Sequence, residues 1–238
     1  MDSLLLAIDT SGKKSSVALA RVTPGQLEIV VLEVVPLAGG TFSAQLVPQV
    51  AALLERHGHT RKDLIAFAVA SGPGSFTGLR VGLAAAKALA EALQKSIASI
   101  SLLEAVARSA AFHGRVLAVI DAGRDDVYVG EYEVDSTTAI SCMISERLLS
   151  REDLVAKTTS ADFTGKAIVV TDASLAEMIR GLGMASEIQV DLVEHPDSSV
   201  IARLGWEHLQ RGQIVRPEEL EANYLRHSDA QIFSKPKA

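Results

Sequence analysis

Short apolar runs of strand length alternate along this chain with longer segments in which apolar residues recur at helical spacing. The first half predicts strands over 3–8, 15–22, 27–35, 65–70 and 96–100, and helices over 41–57, 77–94 and 101–112. The second half predicts strands over 116–121, 127–134, 139–144, 167–171 and 187–192, and helices over 150–156, 173–181 and 197–211. In each half three strands precede alternating helices and strands, which is typical of a mixed sheet with helices packed on it.

One pattern occurs twice. The segment LLAIDTSGKKSSVALA around Asp9 resembles LAVIDAGRDDVYVGEY around Asp121: an apolar strand, an aspartate at its end, a polar turn and a second strand. We therefore expect two similar halves that share an interface, with a first lobe over 1–101, a second lobe over 102–216 and a tail over 217–238. Each aspartate either bonds its own backbone in a turn or flanks a cleft between the halves, and the pattern allows both.

A glycine-rich turn runs directly into a helix of small residues in GPGSFTGLRVGLAAAKALAEA, residues 72–92. Gly78, Gly82, Ala86 and Ala90 recur every fourth residue, so they form one smooth ridge on the helix. The ridge is interpreted as a contact surface for another backbone, although periodicity alone equally allows an ordinary helix packed on a sheet. A P-loop is excluded, because that motif requires lysine directly after its last glycine and Leu79 follows Gly78.

Composition and charge narrow the function classes. The chain has 238 residues, 48% of them hydrophobic, which is enough for a sizeable core. Its net charge of −6 is spread without a basic block, so any contact with RNA is expected to be indirect, through a partner. A single cysteine, Cys142, excludes an internal disulfide. With no run of 18 apolar residues and no secretory segment at the start, we expect no membrane association and a cytoplasmic location.

The chemistry is sparse. None of the six histidines has the spacing of a zinc motif, and no G-x-S-x-G elbow is present. We therefore expect no catalytic residue, no bound metal and no tightly bound cofactor in this chain. The nearest candidates for a nucleotide cleft are Asp9, Thr10, Ser11 and Asp121.

Four segments together identify a resemblance. AIDTS at 7–11, SGPGSFTGLRVGLAAAKALA at 71–90, IDAGRDDVY at 120–128 and NYLRHSDAQI at 223–232 resemble, in order and spacing, the bacterial TsaB family, also called YeaZ. The resemblance implies a duplicated, two-lobed actin-like fold. It also implies membership of the machinery that makes N6-threonylcarbamoyladenosine beside the anticodon of tRNAs that read codons beginning with A. There, TsaB is the non-catalytic partner of its paralogue TsaD, and the P-loop ATPase TsaE joins the pair, so ATP or ADP could enter at the level of the complex.

The same comparison separates this chain from the catalytic paralogue. In the paralogue, two metal-ligating histidines spaced by four follow the corresponding helix and strand. Here that stretch is SLLEAV, which places Leu102 and Val106 at the ligand positions. Neither side chain can coordinate an ion, so both are expected in the core. The helix entry also departs from the family pattern H-S-E-x-L-x-P, because Phe42 and Ala44 replace the usual His and Glu.

These residues lead to an explicit interface hypothesis. Helices 41–57 and 77–94 are expected to meet the equivalent pair on TsaD, or on a second copy of this chain, over about 1,600 Å². The predicted contact residues are Phe42, Leu46, Val50, Leu53, Gly78, Arg80, Gly82, Ala86 and Ala90. On this hypothesis Gly82→Arg would abolish pairing and leave the fold intact. The alternatives are an autonomous ATPase or small-molecule kinase of the same fold, an intrinsic protease, and an interaction module of another pathway.

Overall fold

The computed structural model of the chain describes residues 3–12, 14–38, 42–110, 112–135, 141–160, 167–182 and 188–226. Its strands form two sheets of five. The first sheet contains β1 (Ser3–Asp9), β2 (Ser16–Val22), β3 (Val30–Pro36), β4 (Leu64–Gly72) and β5 (Ser96–Ser101). The second contains β6 (Gly114–Gly123), β7 (Asp126–Val134), β8 (Ser141–Ser150), β9 (Ala167–Val170) and β10 (Gln189–Leu192).

The two sheets have the same topology. The first has the order β3-β2-β1-β4-β5, and the second, read in the same sense, has β8-β7-β6-β9-β10. In each, the opening strand pairs antiparallel with the second strand and parallel with the fourth. The repeat around Asp9 and Asp121 therefore marks a duplication, and the two-lobed actin-like α/β fold expected from the resemblance is confirmed.

The helices occupy equivalent places in the two halves. They are α1 (Phe42–Arg56), α2 (Phe76–Leu93) and α3 (Leu102–Ser109) in the first half, and α4 (Arg151–Thr159), α5 (Ala173–Arg180) and α6 (Ser198–Gln210) in the second. Side chains cap several of them: Ser75 accepts a hydrogen bond from Gly78 N at the start of α2, and Asp172 accepts one from Leu175 N at the start of α5. Such caps satisfy amides that have no partner within the helix. Helix α1 continues through Pro48.

Each lobe's last helix packs between the two sheets. Helix α3 packs on β6 and β7, and α6 packs on β1, β2, β4 and β5 of the first sheet. Close approach requires glycine at Gly205, because a Cβ there would lie 2.2 Å from Ala68 Cβ. Trp206 is buried beside it and donates from Nε1 to Gln26 O at 2.6 Å. One hydrophobic core therefore spans both sheets and joins the lobes.

The lobe and tail bounds from the sequence stay predictions, and the packing crosses them. Helix α6 lies in the second lobe expected over 102–216 and packs on the first sheet. The tail was expected to begin at Pro217, yet Leu220 is buried in the core of the first lobe and Asn223 N donates to Ser71 O at 2.8 Å. The described part of the tail, 217–226, is therefore packed structure. Residues 227–238 lie outside the described residues.

The outer face of each sheet carries the remaining helices. Alternate residues of β1 face opposite ways: Leu4, Leu6 and Ile8 pack with α1 and α2, while Leu5 and Ala7 pack in the central core. A strand buried on both faces is a continuous apolar run, as the sequence shows. On the second sheet α5 occupies the corresponding place. Of the described helices, none combines the length and the apolar character needed to cross a membrane.

Candidate functional site

The small-residue ridge of α2 faces the first lobe's own interior. A Cβ at Gly78 would lie 2.0 Å from Thr10 O, and a Cβ at Gly82 would lie 2.2 Å from Thr10 Oγ1. Ala86 and Ala90 are fully buried. These four residues therefore cannot contact a partner, and the prediction that they do is wrong. The alternative that the sequence left open, a helix packed on its own sheet, is the one observed.

The apolar stripe of α1 is internal as well. Leu46, Val50 and Leu53 are buried in the core beneath α1. Val50 and Leu53 are therefore wrong as residues that contact a partner, whereas Leu46 also lines the groove between α1 and α2. Phe42 is half-buried and packs against the same core, while Arg80 on α2 is exposed. An amphipathic pattern identifies the face a helix buries, and here that burial is against its own sheet.

Helices α1 and α2 nevertheless expose an apolar groove between them, with a volume of about 460 Å³. We call it the helix groove. Its lining includes Ser43, Leu46, Val47, Phe76, Thr77, Arg80, Val81, Ala84 and Ala85. Val47 is 56% exposed and Phe76 is 40% exposed. Large apolar side chains exposed beside one another mark a surface suited to protein contact.

One end of the helix groove holds an aromatic and cationic cluster. The guanidinium carbon of Arg80 lies 3.7 Å from the centre of the Phe76 ring. The ring of Tyr224 lies 5.0 Å from that of Phe76, and Arg80 Nε donates to Tyr224 Oη at 3.2 Å. The sequence prediction missed Phe76, which lies inside the glycine-rich motif. The i, i+4 spacing of Phe76 and Arg80 was the available signal.

The glycine-rich loop, residues 72–78, packs directly on the turn between β1 and β2. Ser75 N donates to Ser11 O at 2.6 Å, and Thr10 Oγ1 donates to Gly78 O at 2.7 Å. At Gly74 a Cβ would lie 2.3 Å from Ser11 O. Two glycines of the motif are therefore required for close packing of the loop and helix on the β1–β2 turn.

Asp9 lies beneath this turn and has no exposed surface. Its Oδ1 accepts a hydrogen bond from Ser11 N at 2.8 Å, which is the turn chemistry that the sequence allowed. Its Oδ2 has no hydrogen-bond partner among the described residues. Burial raises the pKa of Asp9 and outweighs the hydrogen bonds from Ser11 that lower it.

A cleft of about 530 Å³ lies between the lobes. Ser11 and Asp121 both line it, with Lys14, Asp172 and His195. Asp9 and Thr10 are not part of its lining. Asp121 is exposed and accepts a hydrogen bond from Arg151 at 3.2 Å. The structure thus brings together two of the four candidate nucleotide residues.

Two features separate the candidate nucleotide residues from the cleft. Asp9 is buried beneath the turn and does not line the cleft, and the glycine-rich loop forms backbone contacts with Thr10 and Ser11. In the second lobe, Gly181 N donates to Glu177 O at 3.0 Å, so this glycine ends α5, as the sequence predicts. Gly183 lies outside the described residues.

The two positions that the resemblance aligns with the paralogue's metal ligands lie in the core. Leu102 and Val106 are buried, as predicted, in the interior that joins the lobes. Within the described ranges, no group of three or more His, Cys, Asp or Glu is arranged to hold a metal ion. Cys142 is exposed on β8.

Comparison with known proteins agrees with this architecture. A family model described as "TsaD: tRNA N6-adenosine threonylcarbamoyltransferase" matches residues 34–232. The chain is 28% identical over 231 residues to the tRNA threonylcarbamoyladenosine biosynthesis protein TsaB of Escherichia coli K12, covering 95% of this chain and 96% of that protein. It is 36% identical over 130 residues to TsaB of Bacillus subtilis 168, a match that covers 54% of this chain and 55% of that protein.

A solved structure extends the likeness to three dimensions. The structure of "YeaZ from Pseudomonas aeruginosa" superposes with a TM-score of 0.70 at 27% identity, covering 94% of this chain and all of that one. The family match, the end-to-end relative and this superposition agree. The chain therefore belongs to the TsaD family of the matching model and, within it, to the TsaB (YeaZ) group.

Proposed function

We propose that this chain is a non-catalytic subunit of the machinery that makes N6-threonylcarbamoyladenosine in tRNA, and that it works by binding the catalytic paralogue TsaD. The names of its relatives support the pathway. The helix groove supports the mechanism, because α1 and α2 bury their ridges internally and still expose Val47 and Phe76 along one groove. The core side chains at Leu102 and Val106 support a role without metal chemistry.

The proposal extends to the rest of the assembly. TsaE binds the pair and supplies the ATPase, so ATP or ADP acts at the level of the complex and is not held tightly by this chain. The modified base is the adenosine next to the anticodon of tRNAs that read ANN codons, and the assembly is cytoplasmic. When TsaD is absent, the helix groove pairs with a second copy across a two-fold axis, since a self-complementary apolar surface closes a dimer.

Substitution in the helix groove tests this proposal. The earlier candidate, Gly82→Arg, is unsuitable because a side chain at Gly82 would meet Thr10 inside the lobe. Val47→Arg changes only the exposed surface of α1 and is expected to weaken binding to TsaD by at least about tenfold, because an unpaired charge in an apolar contact is costly.

Val30→Arg is the matched control. Val30 is 60% exposed on β3, outside the helix groove, and carries the same change. Binding is measured by size-exclusion co-elution and titration calorimetry with purified TsaD. The proposal fails if Val47→Arg binds TsaD as tightly as the Val30→Arg control does. Depletion of the chain followed by mass spectrometry of tRNA nucleosides tests the pathway itself: unchanged threonylcarbamoyladenosine would contradict it.

A further inference from the structure

A cavity of about 510 Å³ adjoins the interlobe cleft and has a different chemistry. We call it the side cavity. It lies where the β6–β7 hairpin, the start of α2 and the C-terminal segment meet. Three aromatic residues, Phe76, Tyr128 and Tyr224, line it. Its volume suits one small planar ligand, since such pockets hold ligands at about 300–1,000 Å³.

The aromatic residues are fixed by different parts of the chain. Tyr224 is 36% exposed, and its ring packs on that of Phe76. Its hydroxyl accepts a hydrogen bond from Arg80, which holds the ring in place. Tyr128 comes from β7 in the other lobe, and burial raises the pKa of its phenol, so the hydroxyl keeps its proton at neutral pH. A planar group entering the side cavity therefore meets ordered aromatic surface from both lobes.

Two arginines line the same cavity, and they differ in what they bind. Arg226 is committed, because it donates to Asp126 Oδ2 at 2.7 Å and to Gly123 O at 3.2 Å. Arg124 is exposed at the tip of the hairpin and forms no hydrogen bond or ion pair with any residue that the structure describes. Asp125, beside it at the tip, is exposed as well.

The backbone at the hairpin tip is unusual for Arg124. Arg124 has φ of 57° and Asp125 has φ of 60°, both in the left-handed region that glycine, asparagine and aspartate adopt most readily. A tight hairpin would be less strained with Asn-Gly at these positions. Arg124 instead places a guanidinium at the rim of the cavity, and residues held in sparsely populated backbone conformations cluster at functional sites.

We propose that the side cavity binds one nucleotide unit, with the base stacked on Tyr224 and Tyr128 and the phosphate on Arg124. Aromatic faces accept any base, and guanidinium groups bind phosphate oxygens in a forked geometry. The unit is either a residue of an RNA strand or a free nucleotide, since both present the same chemistry. The net charge of −6 limits the contact to a local one. The chain would then touch nucleotide directly, whereas the sequence predicted only indirect contact with tRNA.

The proposal is tested by titrating the purified chain with three probes at low salt: AMP, ribose 5-phosphate and a single-stranded hexa-adenylate RNA. AMP and the RNA are expected to bind, and ribose 5-phosphate to bind more weakly because it has no base to stack. Tyr224→Ala is expected to weaken AMP and RNA binding by roughly fivefold or more. Arg124→Ala is expected to lower the slope of log affinity against log salt for the RNA by about 0.7, the value for one phosphate contact to a single strand.

Arg203→Ala is the matched control, because Arg203 is exposed on α6 and does not line the side cavity. RNA that binds more tightly than AMP identifies a strand as the source of the nucleotide; equal affinities identify a free nucleotide. The proposal is overturned if neither AMP nor RNA binds at millimolar concentration, if ribose 5-phosphate binds as well as AMP, or if Arg203→Ala weakens binding as much as Arg124→Ala. The partner proposal is tested separately by Val47→Arg, because Val47 lines the helix groove and not the side cavity.

Discussion

Gly82→Ala tests most directly how α2 is seated in the first lobe. The new methyl group would lie 2.2 Å from Thr10 Oγ1, well inside contact distance. Rotation of the Thr10 side chain would relieve this contact, but it would break the 2.7 Å hydrogen bond from Oγ1 to Gly78 O. The substitution therefore sets a steric clash and a lost hydrogen bond against the higher helix propensity of alanine.

The magnitudes favour destabilisation. Alanine gains about 1 kcal/mol over glycine inside a helix. Overpacking a buried site costs about 1–3 kcal/mol, and the lost hydrogen bond costs about 1 kcal/mol. We expect Gly82→Ala to lower the free energy of unfolding by about 1–3 kcal/mol.

Thr10→Ala should reverse the effect. Without Oγ1, the nearest remaining contacts of the new methyl are Thr10 Cβ at 3.4 Å and Ile8 Cγ2 at 3.5 Å, which are ordinary packing distances. In that background Gly82→Ala is expected to stabilise the protein by about 1 kcal/mol. The coupling energy between the two substitutions is then about 2–4 kcal/mol, far above the scatter of independent sites.

Urea unfolding followed by tryptophan fluorescence measures all four proteins. The single tryptophan, Trp206, is buried where α6 packs on the first sheet, so it reports on that lobe. Ala88→Gly, on the exposed face of α2, measures the propensity difference in the same helix. Additive effects, or stabilisation by Gly82→Ala alone, would show that the ridge does not pack against Thr10.

Two further substitutions test buried carboxylates. Glu131 contacts Arg115 at 2.6 Å and Lys157 at 3.2 Å. Burial alone would raise the pKa of Glu131, but these two cations lower it below its ordinary value of 4.5. The contribution of the ionised carboxylate to stability is therefore present above pH 4.5 and is lost on acidification. Glu131→Gln is expected to cost about 2–4 kcal/mol at pH 7 and to flatten the acid limb of a stability profile between pH 3 and 7; an unchanged limb would contradict this. Asp9 has the opposite sign, because a raised pKa means that ionisation on going above pH 3.8 costs stability. Asp9→Asn should therefore raise the urea midpoint more at pH 7 than at pH 4, and a variant less stable at pH 7 would show that the carboxylate is needed.

The sequence predicted the order and type of the elements well because apolar runs and caps are local signals. The helix expected over 77–94 is observed at Phe76–Leu93, and the strand expected over 65–70 at Leu64–Gly72. Strand β8 is the main exception, expected over 139–144 and observed at Ser141–Ser150. It is an edge strand paired only with β7 in the described sheet, so burial does not impose the clean alternation by which strands are recognised.

The hydrophobic pattern of the sequence did not predict which distant segments contact one another. A ridge of small residues shows that something approaches closely, but not whether the neighbour is Thr10 or another molecule. The apolar face of α6 shows that the helix is buried, but not that it crosses to the first sheet. Tyr224 meets Phe76 only because the C-terminal segment returns to the start of α2. Each error therefore concerned which surface lies opposite a correctly predicted face.

The duplication gives an independent reason to assign function to the first lobe's helices. Two halves of the same topology face the same packing demands, so a feature that the fold requires should recur in both. Helices α1 and α2 have 15 and 18 residues, whereas their counterparts α4 and α5 have 9 and 8. Val47 and Phe76 are exposed on the longer pair, and no large apolar side chain is exposed on the described residues of the shorter pair. The length and apolar surface of α1 and α2 are therefore not demanded by the fold, and a partner that covers them accounts for both.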